Sequence, residues 1–152
     1  MPINSQLHFD QVSRHFLDQR REHVGVSADE IVDLLGSSRA LGIWRLEIDT
    51  GHIYWTEDAA RIHGMEKSDG PVSLSQIMAR YHPEDAELVE QVLGSATAER
   101  HGFSFVMRVK SERGCYRLTG VAGGYRENNG GEFYGFCYEF QEMVRSIVMM
   151  DD

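Results

Sequence analysis

The sequence predicts an α+β domain, an antiparallel sheet of five strands with helices gathered on one face. Three observations carry that expectation. Residues 102–140 read as three consecutive strands, GFSFVMRVKSE, CYRLTGVAGGYRE and EFYGFCYEF, broken by Ser111-Glu112-Arg113-Gly114 and Asn128-Asn129-Gly130-Gly131. An earlier pair of alternating runs meets at Asp49-Thr50-Gly51, a hairpin turn sequence. Between the pair and the trio, the apolar period lengthens from two to that of helices.

In chain order, residues 5–21 place Leu7, Phe9, Val12, Phe16 and Leu17 near one helical face, which predicts an amphipathic helix outside the sheet. After a hinge at 22–26, Ser27 and Glu30 form an S-x-x-E capping box, and the helix they open carries Ile31, Val32, Leu34 and Leu35 before stopping at Gly36. From Leu41 the period is two, with Trp44, Leu46 and Ile48 opposite Arg45, Glu47 and Asp49. The hairpin returns through His52-Ile53-Tyr54-Trp55, and Thr56 is placed to cap a short helix over 57–63. A loop over 67–71 leads to a helix over 73–81 with Leu74, Ile77 and Met78 on one side. His82 and Pro83 open another helix, with Glu84 and Asp85 at its positive end and apolar positions Leu88, Val89, Val92 and Leu93.

In the strands that follow, Phe103, Phe105, Met107 and Val109 share one side of the first. The last strand puts Phe133 and Cys137 on one side and Tyr134, Phe136, Tyr138 and Phe140 on the other, so neither of its faces reads as open to water. A short apolar helix or tail over 143–150 ends the chain.

At 152 residues the chain fits one domain, which can bury roughly two-thirds of its unfolded surface without staples. No long apolar run and no leader pattern at Met1-Pro2-Ile3-Asn4 are present, and a soluble cytoplasmic protein is expected. Cys115 and Cys137 have no ligand spacing and read as reduced thiols. A net charge of −9 without a basic stripe argues against nucleic acid and membrane as partners, and for protein or a small molecule.

The ordered series Ile43-Trp44-Arg45-Leu46-Glu47, Gly51 to Trp55-Thr56, His82-Pro83-Glu84-Asp85, Arg108 with Gly114, and Gly135 to Glu139 resembles the PAS domain over about residues 38–142. The variety it is similar to runs I-W-R-x-D/E, G-x-x-x-W-S/T, H-P-x-D, R-x-x-x-x-D-G and G-x-x-x-D-I-T. On that resemblance residues 1–38 form a helical extension, 39–142 the PAS domain and 143–152 a tail. Two positions depart from the pattern: Glu139-Phe140-Gln141 stands in place of Asp-Ile-Thr, and Leu118 in place of a Trp. If the chain is complete, it carries no kinase, cyclase or DNA-binding output of its own.

The resemblance implies a cavity between sheet and helices. Flavin–cysteine photochemistry is excluded, because the counterpart of its reactive helix, over 73–81, holds no cysteine. Haem is not expected, since it needs an axial His or Met aimed inward. His82 reads as a helix cap, and His63 and His101 lie at element ends where histidines are commonly solvated. Parity assigns the wall to Trp44, Leu46, Ile48 and Trp55 from the hairpin, Ile77 and Tyr81 from the helices, Phe105, Met107 and Val109, Thr119 and Val121, and Phe133 and Cys137 from the later strands. That wall suits a core filled by its own side chains or a small apolar ligand.

No G-x-S-x-G, H-E-x-x-H or P-loop is present, and the acid pairs Glu57-Asp58 and Glu84-Asp85 each open a helix. The expectation is that the chain is not an enzyme. The other sheet face carries Val106, Tyr116, Leu118, Tyr134, Phe136 and Tyr138, an aromatic surface rarely left to water. Its cover would be the 5–21 helix or a second subunit, and PAS domains of this kind commonly use both. The function expected is a dimeric, non-catalytic PAS signalling protein of a bacterial-type two-component pathway, acting through protein contacts with a sensor histidine kinase or another regulator. The alternative is a ligand- or cofactor-binding sensor module excised from a larger kinase or cyclase.

Overall fold

The computed structural model describes residues 6–8, 20–140 and 145–151. Its centre is a single antiparallel sheet of six strands in the order β3-β2-β1-β6-β5-β4. These are β1 (Leu41–Glu47), β2 (His52–Trp55), β3 (Val72–Ser73), β4 (Phe103–Lys110), β5 (Tyr116–Arg126) and β6 (Glu132–Glu139). The hairpin and the meander therefore join through β1 and β6, with Trp44 opposite Gly135 and Leu46 opposite Phe133. The sixth strand is β3, beyond the five expected. It spans two residues before Ser73 begins a helix, too few to show an alternation.

Among the described residues four α-helices accompany the sheet: α1 (Ala28–Ser38), α2 (Glu57–Ile62), α3 (Leu74–Met78) and α4 (Pro83–Glu99). The capping box at α1 is present, with Glu30 N–H donating to Ser27 Oγ at 3.1 Å and Ser27 N–H to Glu30 Oε1 at 3.0 Å. α1 does not stop at Gly36. Its last turn continues, Ser37 Oγ donating to the Asp33 carbonyl at 2.8 Å, and Arg39 N–H closes it on Leu35. Ser73, where the sequence places the start of this helix, caps α3 in a second box with Gln76, and the helix ends at Met78, short of the expected 81.

Thr56 precedes α2 but makes no side-chain cap. Its hydroxyl instead accepts the Ile43 N–H at 3.0 Å, tying the end of β2 to β1. His82 does cap α4, accepting the Glu84 N–H on Nδ1 at 3.2 Å, with Pro83 in the first turn. Residues 145–150 are exposed and take no helical form. Most of the expected 5–21 helix, including Phe9, Val12 and Phe16, lies outside the described residues. Leu7 is described and exposed.

The core lies on one face of the sheet. α2 sits almost in backbone contact with β1, since a Cβ on Gly42 would meet Ala59 Cα and Cys137 Sγ, each at 2.5 Å. Small residues on both elements permit that approach. No helix of the described residues is long and apolar enough to cross a membrane.

Candidate functional site

Where α3 and α4 stand off from the sheet, the cup keeps a cavity of about 50 Å³. A single water needs roughly 10–15 Å³ on that measure, so the space suits several waters or one small molecule. Trp44 and Leu46 of β1, Ile53 and Trp55 of β2, Phe103 and Phe105 of β4 and Val121 of β5 form its sheet wall. His63, Leu74, Ile77, Met78, Tyr81, Val89 and Leu93 close the other side.

Six rings follow one another in series around this space. Trp55 meets His63 at 5.1 Å between centroids, His63 meets Tyr81 at 5.8 Å, and Tyr81 meets Phe105 edge-on at 6.2 Å. Phe105 stacks on Phe103 at 5.8 Å and Phe103 on Trp44 at 6.1 Å. The two ends of this series, Trp44 and Trp55, are register partners on neighbouring strands. Gly123 makes room for it: a Cβ there would lie 2.8 Å from Trp44 Cη2 and 3.0 Å from Phe103 Cζ.

Of the residues that parity assigned to the wall, Trp44, Leu46, Trp55, Ile77, Tyr81, Phe105 and Val121 line this cavity. Ile48 and Phe133 line a second hollow of about 340 Å³ with Leu46, Leu93 and Thr97. Met107, Val109, Thr119 and Cys137 are buried but line neither space. They sit where the cup is filled, Cys137 beneath α2 and Val109 beneath a bridge to Tyr81. Burial pushes the Cys137 thiol up to about 12, so it stays protonated and inert.

His63 is where the structure departs furthest from expectation. It is not solvated but 4% exposed, because Ala59 and Ala60 let α2 pack closely and carry its C-terminal end into the cup. Its Nδ1 lies 2.9 Å from the Ala59 carbonyl, which can only accept, so Nδ1 carries the proton and Nε2 accepts the Tyr81 hydroxyl at 3.2 Å. Burial lowers the His63 pKa to about 4, and the imidazole is neutral near pH 7. Burial likewise drives the Tyr81 phenol upward.

The unfolded chain takes up the His63 proton near 6.5 and the folded chain only near 4, so stability rises with pH across that window. Urea unfolding followed from about pH 6.5 down to 4 is expected to show a declining stability with a slope approaching one proton. His63→Phe should remove that part of the slope.

Two donors in the tryptophan rings are left unmet. The Nε1–H groups of Trp44 and Trp55 are shut off from solvent and meet no acceptor among the described residues. Such an unmet donor costs roughly 1–3 kcal/mol, and neither one faces the cavity, whose accessible wall is almost wholly apolar. No carboxylate, ammonium or guanidinium lines the cavity, and the histidine spends both nitrogens inside the fold. The site can therefore bind, orient and exclude water, but it presents no acid–base pair. Among the described residues no group of three His, Cys, Asp or Glu could hold a metal ion.

The outer sheet face is the second candidate surface. Ile43, Phe136 and Tyr134 keep 47, 44 and 43% of their surface exposed, and Val106 and Tyr116 are exposed beside them. Leu118 and Tyr138 are half-buried. Ile43 pairs with Phe136, and Phe136 stacks on Tyr138 at 6.1 Å, so these residues form one stripe. Gly120 and Gly124 of β5 lie beneath the Tyr138 and Tyr134 rings, which flattens it. The sequence reading missed the end of this stripe. There Glu132, 2% exposed, is clamped by Arg45 at 3.2 Å and by Arg126, while Arg45 lies over Tyr54 at 4.4 Å and Arg126 over Tyr134 at 4.7 Å. Burial raises the Glu132 pKa, but the hydrogen bonds and charges of Arg126 and Arg45 outweigh it and hold the carboxyl below its ordinary value.

The chain has the PAS fold. It is similar to a sensory box histidine kinase/response regulator from Burkholderia thailandensis, at 20% identity and a TM-score of 0.59, over 71% of this chain and 82% of that one. A light and redox sensing histidine kinase domain from Haloarcula marismortui matches at 16% identity and a TM-score of 0.60, over 73% and 98% of the two chains. The N-terminal domain of a diguanylate cyclase with PAS/PAC sensor from Marinobacter aquaeolei matches at 17% identity and a TM-score of 0.58, over 65% and 94%. No protein-family model and no curated protein matches the sequence.

Proposed function

We propose that the chain is a non-catalytic PAS signalling protein that works by protein–protein contact as a homodimer and regulates a sensor histidine kinase or a comparable signalling protein. The observation that carries this reading is the aromatic stripe of the outer sheet face, exposed on a lone subunit. A second copy is the occupant it favours, because a two-fold axis lays the stripe on itself. α1 supports the same reading: its apolar residues Ile31, Val32, Leu34 and Leu35 are all exposed on the single chain. The fold's similarity to domains of two histidine kinases supports the choice of partner.

Light scattering should give the mass of a dimer, and Phe136→Glu should give a monomer with an unchanged circular dichroism spectrum. A wild-type protein that stays monomeric as its concentration is raised, with Phe136→Glu behaving identically, would remove this reading.

A second reading, a ligand sensor, is favoured by the aromatic-lined cavity of about 50 Å³. Its occupant would bias the helices between two arrangements. Haem is not assigned to the cavity through His63, whose two ring nitrogens are both engaged within the fold.

A further inference from the structure

The two hollows of the cup share three walls. Leu46 of β1, Leu74 of α3 and Leu93 of α4 line both the inner cavity of about 50 Å³ and the outer one of about 340 Å³, so the two spaces lie back to back across these side chains. Leu46 is buried on the sheet, whereas Leu74 and Leu93 are half-buried on the two helices, where a change of rotamer needs no movement of a strand. The outer hollow runs between the β1–β2 turn and the C-terminal half of α4, with Gly94 in its wall. Glycine weakens a helix interior. Nothing within the fold requires it at 94, since a Cβ there would meet no atom within 4 Å. Its effect is to widen the outer hollow.

We propose that the two hollows are one site for an unbranched aliphatic chain. Its end enters the aromatic-lined cavity past Leu74 and Leu93, its body lies along the outer hollow, and its head group stays at the mouth. The inference rests on the ligand-sensor reading and deepens it. An apolar body is required because no charged side chain lines either space, and the hydroxyls of Tyr81 and Thr97 already donate to His63 and to the Leu93 carbonyl. A chain, not a compact molecule, fits a small space that opens into a larger one through a gap the width of a side chain.

The probes are 1-butanol, 1-hexanol and 1-octanol, followed in ¹³C-methyl spectra where Ile77 reports the inner cavity and Ile48 the outer one. Affinity is expected to rise roughly threefold with each added methylene through to 1-octanol. 1-Octanol should shift both isoleucine methyls with a single midpoint. Gly94→Leu narrows the outer hollow alone and, leucine being the better helix former, should keep the circular dichroism spectrum. It should weaken 1-octanol about tenfold and leave 1-butanol unchanged. If Gly94→Leu fails to fold, the chain-length series on the wild-type protein decides alone.

A rise in affinity that stops at 1-butanol, with Ile77 shifted and Ile48 still, would overturn the joined site while leaving the inner cavity as that of a sensor. A 1-octanol affinity untouched in folded Gly94→Leu would overturn it equally. Should neither the three alcohols nor benzene shift Ile77, the joined site and the ligand-sensor reading fall together.

Discussion

Urea unfolding of Arg108→Met is expected to show a loss of about 3–5 kcal/mol, the usual cost of stranding one partner of a buried ion pair. Asp85 is 6% exposed and accepts three times from Arg108: from the backbone N–H at 2.8 Å, from Nε at 2.9 Å and from Nη2 at 2.7 Å. That fork fastens the first turn of α4 to β4, and flanking backbone bonds, His82 N–H to the Arg108 carbonyl and Lys110 N–H to the Arg80 carbonyl, complete the seam. The guanidinium is only partly exposed, so the pair is not a solvent-screened surface bridge.

The sign of the pH dependence identifies the mechanism. In the wild type, burial raises the Asp85 pKa, but the hydrogen bonds and charge of Arg108 prevail and hold it below its ordinary 3.8. The stability it contributes is present above 3.8 and is lost as pH falls through the lower folded value. Without the Arg108 side chain the burial that raises the pKa is opposed only by the backbone N–H at that position and the His82 charge, so the folded pKa rises above its wild-type value and the variant gains relative to wild type as pH is lowered toward 3.8. Arg108→Met combined with Asp85→Leu should recover much of the loss, because no charge is then stranded. A difference between Arg108→Met and wild type that is flat in pH would show that the pair does not hold α4.

The sheet was legible because period and turns agreed over long stretches. Asp49-Thr50-Gly51 and Asn128-Asn129-Gly130-Gly131 fall at chain reversals, and alternation from Phe103 to Val109 set the inner face. What period does not carry is how close two elements come. Ala59, Gly42 and Gly123 look featureless in sequence, yet they decide that α2 lies on β1 and that Trp44 and Phe103 stack across β5. His63 was read as solvated because it ends a short helix, whereas the helix end itself points into the cup. The i−4 spacing to Ala59, beside a second alanine, was the available signal. Asp85 and Glu132 were invisible as buried acids for a related reason. Their partners, Arg108, Arg45 and Arg126, are distant in sequence, with Arg45 87 residues from Glu132 and Arg108 23 from Asp85. Pattern alone assigns a carboxylate to solvent or to a helix end.

Phe133→Ala is the other large effect, expected to cost about 3–5 kcal/mol in the same unfolding experiment. Phe133 is 1% exposed on β6, the strand that joins hairpin to meander, and lies in register between Leu46 and Tyr125. It meets Phe103 edge-on at 5.3 Å and Tyr125 at 5.7 Å. Truncation removes the transfer energy of a whole ring and leaves a hole that strands on both sides cannot close without breaking their ladders. Phe133→Leu retains most of the volume and should cost less. Because the ring belongs to the inner face, Phe133→Ala should leave the proposed subunit association intact at temperatures where it is still folded, whereas Phe136→Glu, three residues along the same strand but on the opposite face, should abolish that association and leave stability nearly untouched. The two variants thus separate the faces of one strand, and a Phe133→Ala protein that dissociates while still folded would mean that the core and the proposed dimer surface are coupled through β6.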